Sequence, residues 1–518
     1  MNLKLGIMAV MGVTGGLLSA TAEEAQPSSF FHEAFERPSE WSANPYAQRV
    51  AGEGLAGSWA LKVDVPPGRT NADARIVHDL AVGGLKRGAI LCVEAMMRGR
   101  DIVRTAAPPY FGPKLMLHLT TRSGYEYYGE QRKACGTYDW RKFTACLRVP
   151  DDIQKLELHV GLQNATGTLW VDEVNITLLP PLPEPAVAAA SPSFHPTTRF
   201  RGVMSGRAMA ETDFADLKGW GVNLIRYQMN GKVKDLDTPE KYQAWLERQM
   251  AALDQSLVLA KKYGMKVVID LHKGPGMRIS EVGSNLLSWD KKDQDTLVET
   301  WRRLAARYRG NSAVWGYDIL NEPRENDYVY EAGGALDWNR LALRLARAIR
   351  DLDPDTPIVV EPAMIAHPDG LSMLVPLPVT NVIYSIHVYN PSAFTHQGVK
   401  RNKETGLLAY PGMIDGEQWN RERLRKALAP AVEFQRKYGV PIYVGEFSAI
   451  RWAPGAERWL EDAISLFEEY GWDWTYHAFR EWDGWSVEHE GDYGQPARLV
   501  ATTPRRDLLL HYFQKNGK

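Results

Sequence analysis

Apolar residues recur at two different periods along this chain. Up to about residue 180 they alternate with polar ones over short runs. Examples are Trp59-Ala-Leu-Lys-Val-Asp-Val65, Ala89-Ile-Leu-Cys-Val-Glu-Ala95, Lys114-Leu-Met-Leu-His-Leu-Thr120, Leu156-Glu-Leu-His-Val160 and Leu169-Trp-Val-Asp-Glu-Val-Asn-Ile176. Gly, Pro and Asn interrupt them, and period-two alternation with such breaks predicts an all-β sandwich over 23–180. Pro180-Pro-Leu-Pro-Glu-Pro-Ala-Val-Ala-Ala-Ala-Ser-Pro192 follows. Its prolines favour extended backbone and its alanines have nothing to pack against, so 181–194 reads as a linker.

From 195 to 518 the rhythm changes. Short apolar runs alternate with longer segments whose apolar residues lie three and four apart. The runs begin at Arg201, Val222, Lys266, Val314, Pro357, Val382, Pro441 and Trp472. One intervening segment carries Tyr242, Leu246, Met250, Leu253 and Leu257 along a single helical face, and another carries Leu297, Trp301, Leu304 and Tyr308. Eight strands and eight helical stretches in alternation predict a (β/α)8 barrel, of the α/β class, behind the sandwich. A doubly wound open sheet competes with it. Such a sheet usually has a glycine-rich phosphate turn after its first strand, and Arg201-Gly-Val-Met-Ser-Gly206 lacks that spacing.

In such a barrel chemistry belongs at the C-terminal strand ends. The fourth run ends in Gly316-Tyr-Asp-Ile-Leu-Asn-Glu-Pro323 and the seventh in Pro441-Ile-Tyr-Val-Gly-Glu-Phe447. Each delivers a glutamate, Glu322 or Glu446, to that face. His272 and His387 end the third and sixth runs. Two carboxyl groups at the ends of two core strands, on the same face of the barrel, suit cleavage of a bond between sugars, in which one acts as an acid while the other stays anionic. A strand-end glutamate can also be a mere cap or ion-pair partner; two of them in these settings favour catalysis.

These residues resemble glycoside hydrolase family 5. Leu320-Asn321-Glu322-Pro323 is similar to that family's acid/base motif, and Gly445-Glu446-Phe447 to its nucleophile motif. The resemblance extends to Arg226 on strand two, His272 on strand three, and His387 with Tyr389 on strand six. It implies a retaining mechanism with Glu446 as nucleophile and Glu322 as acid/base. It implies further that Arg226, His272, Asn321, His387 and Tyr389 bind substrate or support the pair, and that no metal or organic cofactor is needed. Where the family often has Tyr-Trp at the end of strand eight, this chain has Tyr476-His477; Trp482 or Trp485 is the expected sugar platform instead, with Trp482 preferred.

Composition narrows the partners. A net charge of −2 lacks the basic excess of a nucleic-acid binder. The 17 Trp and 22 Tyr suit either packing or stacking on sugar faces. The sandwich resembles the jelly-roll modules attached to carbohydrate-active enzymes. Trp41, Tyr125, Tyr127 and Tyr128 are its candidate glycan contacts, although a purely structural appendage fits equally well. Residues 1–22 combine Lys4, an apolar stretch over 5–18 and Ala20-Thr21-Ala22, which reads as a signal peptide and secretion without a membrane span afterwards. Of the three cysteines, Cys135 and Cys146 could pair, leaving Cys92 over, though spacing alone does not decide it.

The expectation is therefore a secreted enzyme acting on a β-linked polysaccharide or oligosaccharide, foremost as an endo-β-1,4-glucanase. A β-mannanase, an exo-β-glucosidase, a transglycosylase and a non-catalytic glycan-binding protein are the alternatives.

Overall fold

The computed structural model describes residues 27–106, 110–122, 124, 126–130, 134–183, 198–206, 208–232, 236–276, 278–279, 285–286, 291–324, 337–399 and 407–516. The proposed signal peptide and most of the Pro/Ala linker lie outside them.

Ten antiparallel strands build the sandwich: β1 (Ser28–Glu33), β2 (Ala47–Ala51), β3 (Trp59–Val65), β4 (Asp73–Leu80), β5 (Ile90–Arg104), β6 (Gly112–Thr121), β7 (Glu126–Glu130), β8 (Gly136–Arg148), β9 (Ile153–Gln163) and β10 (Ala165–Leu179). One sheet has the order β2-β3-β10-β5-β8, with β1 also on β10, and the other β4-β9-β6-β7. The alternation seen in the sequence becomes inward and outward faces. Leu115, Leu117 and Leu119 of β6 and Leu156, Leu158 and Val160 of β9 are buried in the sandwich core. Cys92 and Cys146 face each other directly across β5 and β8. Their Cα atoms are 4.2 Å apart and the structure joins them by a disulfide. Cys135 is the thiol left over, a pairing that sequence spacing could not anticipate because it depends on strand register.

The second unit is a closed barrel of parallel strands. These are β11 (Arg201–Ser205), β12 (Leu224–Gln228), β13 (Lys266–Asp270), β14 (Val314–Asp318), β15 (Ile358–Val360), β16 (Val382–Val388), β17 (Ile442–Phe447) and β18 (Asp473–His477), with β18 closing on β11. Helices α1 (Glu211–Trp220), α2 (Pro239–Tyr263), α3 (Lys291–Tyr308), α4 (Trp338–Arg350), α5 (Arg421–Tyr438), α6 (Ala456–Tyr470) and α7 (Pro504–Phe513) cover it. The alternation expected from sequence holds with one exception. Between β15 and β16 the chain makes a 3-10 turn, Pro368–Ser372, where a full helix was expected. Proline and glycine within that segment shorten the helix.

Local chemistry sets the helix ends. The Thr238 side chain accepts from the Lys241 N–H at 3.4 Å, Pro239 opens the helix, and Gly264 ends α2 at φ 72°. Asn420 caps α5 in the same way and Gly439 closes it.

Period two within the strands decides what enters the barrel. Leu224, Val268, Trp315, Val359, Ile383 and Tyr443 fill its lower layer. Further along the same strands Arg226, Asp270, Asp318, Glu361 and His387 occupy its upper end, all buried. An apolar floor beneath a charged upper layer is what positions the site.

The sandwich seats on the barrel through arginines. Both terminal nitrogens of Arg148 lie 3.2 Å from Asp337 Oδ1. Arg87 donates to the carbonyls of Leu371 and Leu374 at 2.5 and 2.7 Å, and Arg340 to the Pro180 carbonyl at 2.6 Å.

Candidate active site

Arg226 is the hub of the upper barrel layer. Its Nη1 donates to Glu446 Oε1 at 2.7 Å and its Nε to Asp318 Oδ2 at 2.9 Å. Its Nη2 donates to Glu361 Oε1 at 2.9 Å and to Asn321 Oδ1 at 3.1 Å, and stands 3.3 Å from Asp270 Oδ1. One guanidinium thus faces four buried carboxyl groups. They cannot all ionise cheaply at such depth. Burial, reinforced by Glu361 and Asp270, pushes Asp318 well above the usual carboxylate range despite Arg226.

Glu446 goes the other way. Burial alone would raise it, but His387 and Arg226, aided by His477 and His272, hold its carboxyl far below the usual range. Tyr389 Oη donates to Glu446 Oε2 at 2.8 Å. Each oxygen of the carboxylate therefore has its own donor, and the group is fixed as an anion.

Glu322 is set differently. Its side chain is 33 % exposed against 6 % for Glu446, so water reaches it. Its backbone sits in the left-handed region at φ 45°, a conformation uncommon for a residue with a Cβ and concentrated at functional sites. The strand-end turn is held there by Glu361 Oε2, which accepts the Glu322 N–H at 2.6 Å. Glu361 is placed in turn by Trp338, whose Nε1 donates to the Glu361 carbonyl at 2.7 Å.

His387 bridges the two glutamates. Its Nδ1 lies 3.0 Å from Glu322 Oε1 and 3.8 Å from Glu446 Oε2, and its Nε2 3.0 Å from Glu361 Oε1. Burial opposes a charged ring, but Glu361 and Glu446 raise His387 well above the ordinary histidine range. Close packing keeps it in place. A Cβ on Gly445 would come within 2.7 Å of Ser385 Oγ and 3.2 Å of His387 Nε2, so any larger residue would turn the serine hydroxyl and press on the imidazole.

Donor atoms of Glu322, His387 and Glu446 all lie within 4.8 Å of one another. Such closeness suits a metal in principle, but a doubly protonated His387 offers no lone pair. His118, Glu157 and His159 in the sandwich also converge within 4.8 Å. There Lys155 Nζ already donates to Glu157 at 2.6 Å, and Arg75 Nη1 stands 3.3 Å from His159 Nδ1. These two cations oppose metal binding.

The geometry is that of a carboxyl pair served by a cation, a tyrosine and a histidine. The cellulase (glycosyl hydrolase family 5) sequence profile matches residues 190–482. This chain belongs to glycosyl hydrolase family 5. It is a cellulase-like glycoside hydrolase, and its substrate class is β-linked polysaccharide. Endoglucanase C of Acetivibrio thermocellus is 29% identical over 296 residues, covering 52% of this chain and 84% of that protein. Cellodextrinase A of Ruminococcus flavefaciens is 23% identical over 282 residues, covering 52% and 79%. The solved endoglucanase Cel5A of Thermotoga maritima superposes with a TM-score of 0.46 at 24% identity, over 56% of this chain and 91% of that one.

For a family 5 enzyme, the residues singled out from sequence fall as follows. Glu322, Glu446, Arg226, Asn321, His387 and Tyr389 are joined in one bonded network. His272 borders it, its Nδ1 2.8 Å from Asp270 Oδ2. Trp482 is 41 % exposed and packs edge-on against Trp485, ring centroids 5.8 Å apart. Trp485 is buried, with its ring 5.5 Å from His477 and 6.4 Å from Tyr389. In the sandwich, Tyr128 is exposed and stacks on His118 at 4.6 Å. Trp41 packs with Phe31, Phe35 and His78. Tyr125 and the Tyr127 side chain lie outside the described residues.

Sequence reading missed Asp318, Glu361 and Glu481, and it marked His477 only as the residue standing where a tryptophan was expected. The first two carried a signal, since each is a lone acid ending an apolar barrel strand. Glu481 carried none.

Proposed function

We propose that this enzyme is a secreted retaining endo-β-1,4-glucanase. The observation carrying the retaining mechanism is that carboxyl oxygens of Glu322 and Glu446 lie within 4.8 Å of one another. Double displacement uses carboxyl groups about 5–5.5 Å apart, whereas inversion needs about 6.5–9.5 Å to admit a water. Glu446, held anionic, attacks the anomeric carbon. Glu322, which is water-accessible and bonded to His387, protonates the departing oxygen and then activates water against the glycosyl-enzyme. Asn321, its oxygen engaged by Arg226, presents its NH2 to the sugar 2-hydroxyl, a contact that strengthens in the transition state. We assign His272 and Trp482, the more exposed of the two tryptophans, to sugar contacts.

The glucan preference is supported by the relatives named endoglucanase. Export is supported by the leader-like first 22 residues and by the Cys92–Cys146 disulfide, a bond at home in oxidising compartments.

Release of reducing ends from soluble β-glucans and β-mannans, with product sizing, tests this reading. Internal cleavage of β-1,4-glucan is expected. Sugar release from mannan alone, or release of single units only, would replace the substrate or the mode of attack. Glu446→Ala should be inert until azide is added, and then give product of inverted configuration.

A further inference from the structure

We infer that His477 and Glu481 form a positioning dyad that aims the Tyr389 hydroxyl at Glu446, an inference that rests on the glycosidase reading above. Tyr389 Oη lies between two groups. Glu446 Oε2 is 2.8 Å away and His477 Nδ1 is 2.7 Å away. A phenol has a single proton, and if His477 Nδ1 carried a lone pair the two would compete for it. Tyr389 donates wholly to Glu446 only when Nδ1 is itself an N–H and donates to the tyrosine oxygen.

Glu481 supplies that condition. Its Oε2 lies 3.4 Å from His477 Nε2, so a ring protonated at both nitrogens is satisfied on both sides. The carboxylate is held from behind. Gln228 Nε2 donates to Glu481 Oε2 at 3.2 Å, and Asn230 Nδ2 donates to Gln228 Oε1 at 3.1 Å. An oriented chain thus runs from Asn230 through Gln228, Glu481, His477 and Tyr389 to Glu446.

The charged groups facing His477 are Glu481 behind it, Glu446 beyond the tyrosine, and His387 from β16. Burial works against a charged ring and His387 repels it, but the two glutamates outweigh them and raise His477 above the ordinary value. Glu481 stays ionised because His477 outweighs its own burial. Trp485 walls the pair from the side, its ring 5.5 Å from that of His477. With Arg226 on Oε1 and Tyr389 on Oε2, the nucleophile cannot rotate out of line. His477 touches neither nucleophile nor sugar in this role; it acts through Tyr389.

A double-mutant cycle of His477→Phe and Tyr389→Phe tests this. Turnover of an aryl β-cellobioside is measured for the full chain, with thermal midpoints recorded alongside. His477→Phe should lower kcat/KM about 10- to 100-fold, mainly through kcat, as expected for loss of a hydrogen bond serving a charged group. In the Tyr389→Phe background the same change should cost less than about 3-fold. His477→Gln, which keeps an N–H donor, should recover much of the loss. Glu481→Gln should move the alkaline limb of kcat/KM to lower pH. Equal losses in both tyrosine backgrounds would overturn the dyad while leaving glycosidase activity intact. The histidine resonances of the resting enzyme give a readout free of turnover. His477 should titrate above about 6.5, and lower in Glu481→Gln; titration below that value in the parent protein would also overturn the dyad.

Discussion

Arg226→Met removes the one cation shared by Asp270, Asp318, Glu361 and Glu446 while keeping most of the volume. Deleting one partner of a buried charge network costs about 3–5 kcal/mol, because the remaining charge is left uncompensated. Unfolding entropy near 60 °C is about 2.1 cal/mol/K per residue, or roughly 0.7 kcal/mol/K for a barrel of about 320 residues. The thermal midpoint of the barrel transition should therefore fall by about 4–8 °C at pH 7.5, followed by circular dichroism.

The pH dependence has a definite sign. In the parent protein Glu446 is depressed, so its contribution is present above the unfolded carboxylate value and is lost as pH falls through the folded one. Asp318 is raised, so its contribution is present at low pH and is lost as pH rises through its folded value. Without Arg226, Glu446 loses one of its main cations and shifts toward Asp318's behaviour. The gap between variant and parent should then narrow between pH 7.5 and pH 4.5. A midpoint within 1 °C of the parent, or a gap that widens on acidification, would refute the claim that this guanidinium holds the carboxylates together.

Other perturbations have equally definite outcomes. Glu322→Ala should slow hydrolysis of poor leaving groups by about 10²- to 10⁴-fold, with a much smaller loss for a dinitrophenyl glycoside that needs no protonation; equal losses on both would remove Glu322 from the acid role. Gly445→Ala should push His387 out of line and cut kcat without weakening ground-state binding, readable as a kcat loss at near-constant KM. Cys92→Ser opens a loop closed between residues 54 apart, worth about 4 kcal/mol in the chain-entropy estimate; urea unfolding of the sandwich should show it, and dithiothreitol should reproduce it in the parent. Arg148→Ala should leave Asp337 buried with a weakened ion-pair shell and lower the unfolding midpoint in urea, while catalytic constants stay close to the parent values.

What sequence could show here follows from what each signal depends on. Strand periodicity is local, so the barrel and the sandwich were legible, as was the placement of Glu322 and Glu446 at strand ends, because each ends an apolar run. The 3-10 turn at Pro368–Ser372 was less so, since Pro362, Pro368, Pro376 and Pro378 break up the connection and leave little helical pattern to read. Strand register was not legible at all. It decides that Cys146 meets Cys92, and a lone acid such as Glu361 shows its use only when β15 is laid beside β14 and β16. The roles of His477 and Glu481 were hidden for another reason. These residues replace an expected side chain with a different kind of chemistry, and their meaning comes from distances to Tyr389 and Glu446, groups that lie on other strands.

Covalent trapping puts the central claim to its most direct test. The enzyme is incubated with a 2-deoxy-2-fluoro-β-cellobioside carrying a good leaving group, digested, and mapped by mass spectrometry. The label should sit on the peptide containing Glu446, and its release should be slow in water and faster with a sugar acceptor. A label on any other residue, or steady turnover to α-configured product with no labelled protein, would contradict the account.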